Sequence, residues 1–347
     1  MPLLGRRRAN WTPGLLALSL LLNVYFIVAG LRRTTEPAAV LPAMTPPPAP
    51  GNPSIAPSEE PQAPIELAPI DNDDPRIFSG RLDGSIAATL GSRLPAAEAQ
   101  LTAAHLARSL AWQIDLRGDP RPGDPFRVVY RYGEGVHRTP TQGPGDPIEI
   151  LSYEYRSLRH ASTFRGYRFQ ASGDRWAGIW DENGVEVAER LKRSPIDDYE
   201  AITARLRDGR GHKGIDFKVP VGTPVRAPMA AKVLRKNWNV RSNGYCIDLM
   251  FEDSGLHGLF LHLSNVYDDV VTPGRRIEAG TVIALSGNTG RTTNPHLHYA
   301  LRRGKESYLD PFRQNETMRR RISAPNMPAF DARRAELDDL MASTSEG

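Results

Sequence analysis

The 347-residue sequence predicts a mainly β protein, in which one membrane-spanning helix, a proline-rich linker and a small α+β domain precede a strand-rich domain. Three features lead to that expectation. An apolar run lies near the N-terminus, twelve prolines fall between Pro37 and Pro75, and short strand-like segments in the C-terminal half carry paired histidines.

Arg6, Arg7 and Arg8 precede an apolar stretch from Gly14 to Leu31, broken only by Ser19 and Asn23. About 20 apolar residues cross a bilayer, and clustered arginines tend to stay on the cytoplasmic side. No small-x-small cleavage site of a signal peptide follows. Residues 13–31 are therefore expected to be an uncleaved anchor, with 1–12 in the cytoplasm. The prolines of 32–75 stand among Ala, Ser and Glu with few large apolar residues. Such a segment buries no core and extends as a spacer, reaching on the order of 100 Å at ~3.1 Å per residue. The expected location is the inner (cytoplasmic) membrane, single-pass, with the remaining domains on the periplasmic side.

The formal net charge is +4, and no Lys/Arg run is interleaved with aromatics as a nucleic-acid groove would require. Cys246 is the sole cysteine, which excludes an intrachain disulfide and a cysteine-rich zinc knuckle. A metal would have to be held by histidine and carboxylate.

Residues 76–195 read as an α+β accessory or positioning domain. Ala103, Leu106, Ala107, Leu110, Ala111 and Ile114 share one helical face. Two prolines between Gly118 and Gly123 end that pattern. Strands are predicted at 126–132, 148–155, 166–170 and 176–180, with Asp181-Glu-Asn-Gly184 as a turn. His105, His137 and His160 are isolated and read as surface or packing residues.

The residues that carry chemistry lie between Gly211 and Asp310. Gly211-His-Lys-Gly-Ile-Asp-Phe217 reads as a strand, so His212, Gly214 and Asp216 are expected on one face, with Gly214 leaving room for an ion. In Pro295-His-Leu-His-Tyr-Ala-Leu301, His296 and His298 share a face, while Leu297, Tyr299 and Leu301 point to the core. Two imidazoles and a carboxylate form a ligand set that zinc favours in catalytic sites, with one position left for water. Zinc acidifies water and polarises a carbonyl. Hydrolysis also needs a proton acceptor and an oxyanion stabiliser. His262 and the remaining member of the His-x-His pair are available for those roles, and a histidine base would be protonated below about pH 6. His257, odd-spaced from His262, reads as an ordinary strand residue.

Gly211-His-Lys-Gly-Ile-Asp-Phe217, Gly222-Thr-Pro-Val-Arg-Ala227, His262-Leu-Ser264 and Ser286-Gly-Asn-Thr-Gly-Arg-Thr-Thr-Asn-Pro-His-Leu-His298, ending with Asp310-Pro311, resemble the signature segments of the lysostaphin/LytM-type zinc endopeptidases. The resemblance covers 196–312 closely. It extends loosely to Trp112-Gln-Ile-Asp115 and Arg121-Pro-Gly-Asp124, similar to the domain preceding the peptidase in some envelope members. It implies a mostly antiparallel β-fold and one Zn2+ held by His212, Asp216 and His298. His262 and His296 are then implied as general base and oxyanion stabiliser, acting on peptide bonds of peptidoglycan stems or cross-bridges. Envelope proteins would be regulatory partners. The chain departs from the family pattern before His212, where 202–211 is short and lacks an aromatic, and at Asn294 and Ala300. Residues 313–347 read as a polar C-terminal tail, a solvated or helical appendage.

The principal alternative is a catalytically inactive regulator of other cell-wall hydrolases, which keeps such a fold but loses ligands. A cupin-type module would need a glutamate where Leu301 and Arg302 stand. A biotinyl carrier would need its lysine between methionines, a setting that Lys232 lacks.

Overall fold

The computed structural model describes residues 74–133, 146–208 and 211–343. The chain divides into two units, Met1–Glu66 and Leu67–Gly347, and every described residue belongs to the second. The predicted anchor at 13–31, the linker as far as Asn72 and Asp73, and His137 lie outside the described residues. No helix among the described residues is long and apolar enough to cross a membrane.

The N-terminal part of this unit is a five-stranded antiparallel meander of β1 (Arg76–Arg81), β2 (Pro125–Tyr132), β3 (Ile148–Ser157), β4 (Ser162–Phe169) and β5 (Gly178–Trp180). Helices α1 (Ile86–Gly91) and α2 (Ala96–Leu110) connect β1 to β2. Alternation divides β2 between two cores: Phe126, Val128 and Tyr130 face the helices, while Val129 faces the other side. A register shift then pairs Val129 with Ser152 and Tyr130 with Ile150, leaving Leu151 extra. That bulge changes the phase of β3, so Ile148 and Ile150 precede it, and Tyr153 and Tyr155 follow it, all on the helix side. The predicted helical face holds at Ala103, Leu106 and Leu110, which are buried, and the helix stops at Leu110, with Ile114 buried beyond it.

The second face of the meander is covered by the C-terminal segment. Helix α5 (Met327–Ala342) is numbered after the short α3 (Val240–Asn243) and α4 (Pro311–Gln314). It buries Phe330, Leu337 and Met341 against Val129, Leu151, Tyr167 and Trp180. The Tyr167 hydroxyl donates to Asp338 at 2.9 Å. The polar tail expected at 313–347 is thus, as far as Ser343, a packed part of the fold. Burying a side chain such as Phe330 contributes roughly 1.5–3 kcal/mol.

Two short strands, β6 (Arg190–Leu191) and β7 (Ala201–Ala204), lead into the second domain. There β8 (Ile215–Lys218), β9 (Pro224–Arg226), β10 (Ala231–Lys236), β11 (Tyr245–Phe251) and β12 (His257–Leu263) are followed by β13 (Asn265–Val266), β14 (Arg276–Ile277) and β15 (Val282–Leu285). The last three strands are β16 (His296–Arg303), β17 (Ser307–Leu309) and β18 (Thr317–Met318). The main antiparallel sheet runs β14-β10-β11-β12-β16-β8-β7, with β17 on β16, and β13-β15-β9 form a second small sheet. One face of the main sheet buries Phe217, Phe251, Phe260, Leu297, Tyr299 and Leu301 in a core shared with Val225 and Ile283. The opposite face of β8 and β16 is left for polar side chains.

Candidate metal centre

Strands β8 and β16 pair so that Asp216 lies directly opposite His298, and Lys218 opposite His296. Directly opposed residues share a face. The core residues Ile215, Phe217, Leu297 and Tyr299 alternate with them on the other side. His212 is not on the strand: β8 begins at Ile215, and His212 stands in the segment leading into it. Its carbonyl accepts from the Arg207 amide at 2.8 Å, and its Nδ1 donates to the Arg205 carbonyl at 3.3 Å. Its Nε2 is thereby free to point at the carboxylate.

The three side chains converge closely. His212 Nε2 lies 3.1 Å from Asp216 Oδ1, and His298 Nδ1 lies 2.8 Å from the same oxygen. The two imidazole nitrogens are 3.1 Å apart. A tetrahedral zinc with bonds near 2.0–2.2 Å holds its donors roughly 3.3 Å apart. The donor set and its spacing therefore fit such an ion after a small expansion. His212, Asp216 and His298 are also the group among the described residues whose atoms could hold a metal.

The electrostatics agree with that fit. Burial opposes ionisation of Asp216, but hydrogen bonds from His212 and His298 outweigh it and hold the carboxyl far below its usual range. Burial also lowers His298, with Asp216 opposing, whereas at His212 the Asp216 carboxylate overcomes burial and raises the imidazole. The result is an ionised carboxylate between two imidazoles, one of them buried.

His262 and His296 sit beside this group, their rings 4.8 Å apart, and His262 is 6.1 Å from the His298 ring. Unbroken alternation would not have placed His262 there. Leu261, not His262, is opposite His298. A register shift between β11 and β12, together with a left-handed backbone at His262 (φ 63°), turns the imidazole onto the site face. Its Nδ1 donates to the Thr289 carbonyl at 2.9 Å, and His296 Nδ1 donates to the Asn294 carbonyl at 2.7 Å. Each ring is thus fixed in the tautomer that leaves Nε2 as the acceptor. His296 Nε2 is 3.7 Å from Asp216 Oδ1. Burial, reinforced by the neighbouring His296, pushes His262 down to about 4.

All five residues singled out in the sequence meet at this site. The carbonyls of Arg205, Thr289 and Asn294 that orient three of them were not singled out for that role, because a main-chain acceptor has no side-chain signature. Any residue at 294 could supply that carbonyl, so the departure from the family pattern there leaves the His296 contact intact. At the other departure, Ala300 is fully buried beside Gly214. The other described histidines stand elsewhere: His257 pairs with Asp248 at 2.8 Å, and exposed His160 pairs with Asp119 at 3.1 Å. Half-buried His105 is lowered to about 4 by burial and by Arg108.

Gly214 serves a purpose different from the one its spacing suggested. A Cβ there would lie 2.5 Å from the Tyr299 carbonyl, 2.9 Å from the Ala300 Cβ and 2.9 Å from His298 Nε2. The glycine lets β16 approach, and the edge of His298 that faces Asp216 is the other one. Gly214→Ala is expected to destabilise the protein by about 1–3 kcal/mol and to weaken metal binding by displacing His298. Melting in chelator together with a zinc titration checks both; an unchanged zinc affinity would exclude this packing constraint.

The strand pairing and the His-Asp-His cluster define an antiparallel β-domain with a candidate metal centre, and comparison with known proteins assigns its class. Residues 210–311 match the model of peptidase family M23. This segment is an M23 peptidase domain, of the LytM type. Peptidoglycan DD-endopeptidase ShyC of Vibrio cholerae serotype O1 is 30% identical over 203 residues, covering 56% of this chain and 43% of that protein. Peptidoglycan DD-endopeptidase ShyA of the same organism is 28% identical over 276 residues, covering 76% and 58%. Lysostaphin of Staphylococcus simulans is 39% identical over 93 residues, 26% of this chain and 18% of its own. The chain thus spans about half the length of the two Vibrio relatives it matches.

Proposed function

We propose that the protein is a zinc metalloendopeptidase that hydrolyses peptide bonds in peptidoglycan. The observation that carries this reading is the convergence of His212, Asp216 and His298 within 4.8 Å on an M23 domain, with His262 and His296 alongside. Relatives whose names specify peptidoglycan endopeptidases support the substrate class.

In this mechanism His212 Nε2, Asp216 and His298 Nδ1 would hold one Zn2+. When bound, zinc acidifies water and polarises the scissile carbonyl. His262 and His296, each with Nδ1 committed to a main-chain carbonyl, present Nε2 to the reacting atoms. One would take the proton from the attacking water and hand it to the amine nitrogen as the C–N bond breaks, while the other would donate a hydrogen bond to the developing oxyanion when its Nε2 carries a proton. The presence of all five side chains favours catalysis over a purely regulatory role. The apolar segment 13–31 and the proline-rich linker would tether this activity to the outer side of the cytoplasmic membrane, where envelope proteins could regulate it.

Digestion of purified peptidoglycan by the full chain, followed by mass analysis of the released muropeptides, tests the proposal. Peptide cleavage is expected without chelator, with loss in chelator and recovery on adding zinc. Intact muropeptides from zinc-loaded protein would refute it.

A further inference from the structure

The segment that orients His212 is gripped by the N-terminal domain. Arg205 extends its guanidinium to the end of α2, where Nη1 donates to the Ala111 carbonyl at 2.7 Å and the group stacks 4.4 Å over the Trp112 ring. Carbonyls in the last turn of a helix lack intrahelical partners and carry the negative end of its dipole, so a cation is favoured there. Trp112 in turn packs edge-on against Phe312 of the peptidase core at 4.9 Å. A second arginine crosses in the opposite direction: exposed Arg117 of the N-terminal domain donates to the Arg207 carbonyl. Among the described residues, Arg205 and Arg207 bond His212 through their main chains, the Arg205 carbonyl to Nδ1 and the Arg207 amide to the His212 carbonyl.

We propose that Arg205 is a positioning residue through which docking of the N-terminal domain sets the affinity of the peptidase domain for zinc. The inference rests on the reading of His212 as a zinc ligand. Residues 205–207 hold His212 through their main chain, and the Asp208 carboxylate adds an attraction to the imidazole. The place of this segment is set by Arg205 pulling towards α2 and by Arg117 pulling on the next carbonyl but one. The Arg205 carbonyl also accepts from the Asp208 amide at 3.2 Å, a turn contact within the same segment. Released from α2, that segment holds the carbonyl less firmly against His212 Nδ1, the contact that selects the tautomer. Outer partners of this kind typically change metal affinity 10–100-fold.

The test is zinc affinity of the full chain, measured by competition with a chromophoric chelator, alongside melting of the metal-free protein. Arg205→Ala is expected to weaken zinc binding roughly 10–100-fold. Arg205→Lys should recover part of that loss, since it keeps a cation for the Ala111 carbonyl but not a plane for Trp112. Arg117→Ala, at an exposed position, should weaken zinc binding in the same direction with little change in metal-free melting. Lys192→Ala, which removes an exposed ion pair with Glu316 away from the site, should leave zinc affinity unchanged. Parental zinc affinity in folded Arg205→Ala overturns the proposal. If that variant does not fold, parental affinity in both Arg205→Lys and Arg117→Ala overturns it. Failure of the parent itself to bind zinc would instead overturn the ligand reading.

Discussion

Asp216→Ala is expected to eliminate metal and activity together. Asp216 is the common partner of the site, since one oxygen lies 3.1 Å from His212 and 2.8 Å from His298. It is also the only anion of the three. Burying a carboxylate is costly, and it remains ionised here because two imidazoles bond to it. The same charge is what makes the site attractive to a divalent cation. Without it, two neutral imidazoles remain, one of them buried. The loss should exceed the ~10–100-fold cost of removing an outer-shell partner. Metal analysis after dialysis should find about one zinc per parent chain and almost none in the variant. His298→Ala should behave in the same way. Asp216→Asn separates charge from shape: it preserves the volume while removing the anion, and should lose zinc nearly as completely as alanine. Full zinc occupancy in either Asp216 variant would mean that the ligands are assigned wrongly.

The elements legible in the sequence are those that repeat a simple period. The alternation His296-Leu-His298-Tyr places imidazoles and core side chains on opposite faces of β16, and a period-2 reading recovers that division. The α2 face is recovered in the same way by a 3.6-residue period. Departures from a period were not legible. The extra residue at Leu151 shifts β3, and the left-handed backbone at His262 moves a residue that strict alternation would assign to the other face. His212 was expected on a strand, yet it stands ahead of one and is held by hydrogen bonds to Arg205 and Arg207. The packing of the C-terminal helix was not legible because Phe330, Leu337 and Met341 are sparse among charged residues. Their partners lie about 150–200 residues earlier in the chain. Long-range placement of that sort is decided by tertiary packing, and local sequence carries little trace of it.

His262 and His296 are expected to give the opposite pattern from the ligands: zinc retained and turnover lost. Neither ring nitrogen of His262 lies in the His212-Asp216-His298 group, and its Nδ1 is already committed to Thr289. Removing either imidazole should therefore cost catalysis on the order of 10²–10⁴-fold while leaving about one zinc bound. Asparagine is the better replacement at 262, because it tolerates a left-handed backbone more readily than alanine. The pH dependence adds a second measurement. A histidine in water titrates near ~6.5. Burial of His262 beside His296 lowers its own value to about 4, so it remains an unprotonated base well below neutrality. Activity that depends on this base is present above its folded value and is lost as pH falls through it. The His262 contribution to the acid limb of kcat/KM should consequently lie below pH 6, displaced towards 4 from where an unperturbed histidine would place it. A rate profile for the zinc-loaded parent, with metal content measured at each pH, separates protonation of the base from loss of the ion. If zinc leaves whenever His262 or His296 is replaced, the division between holding the metal and moving the proton is wrong.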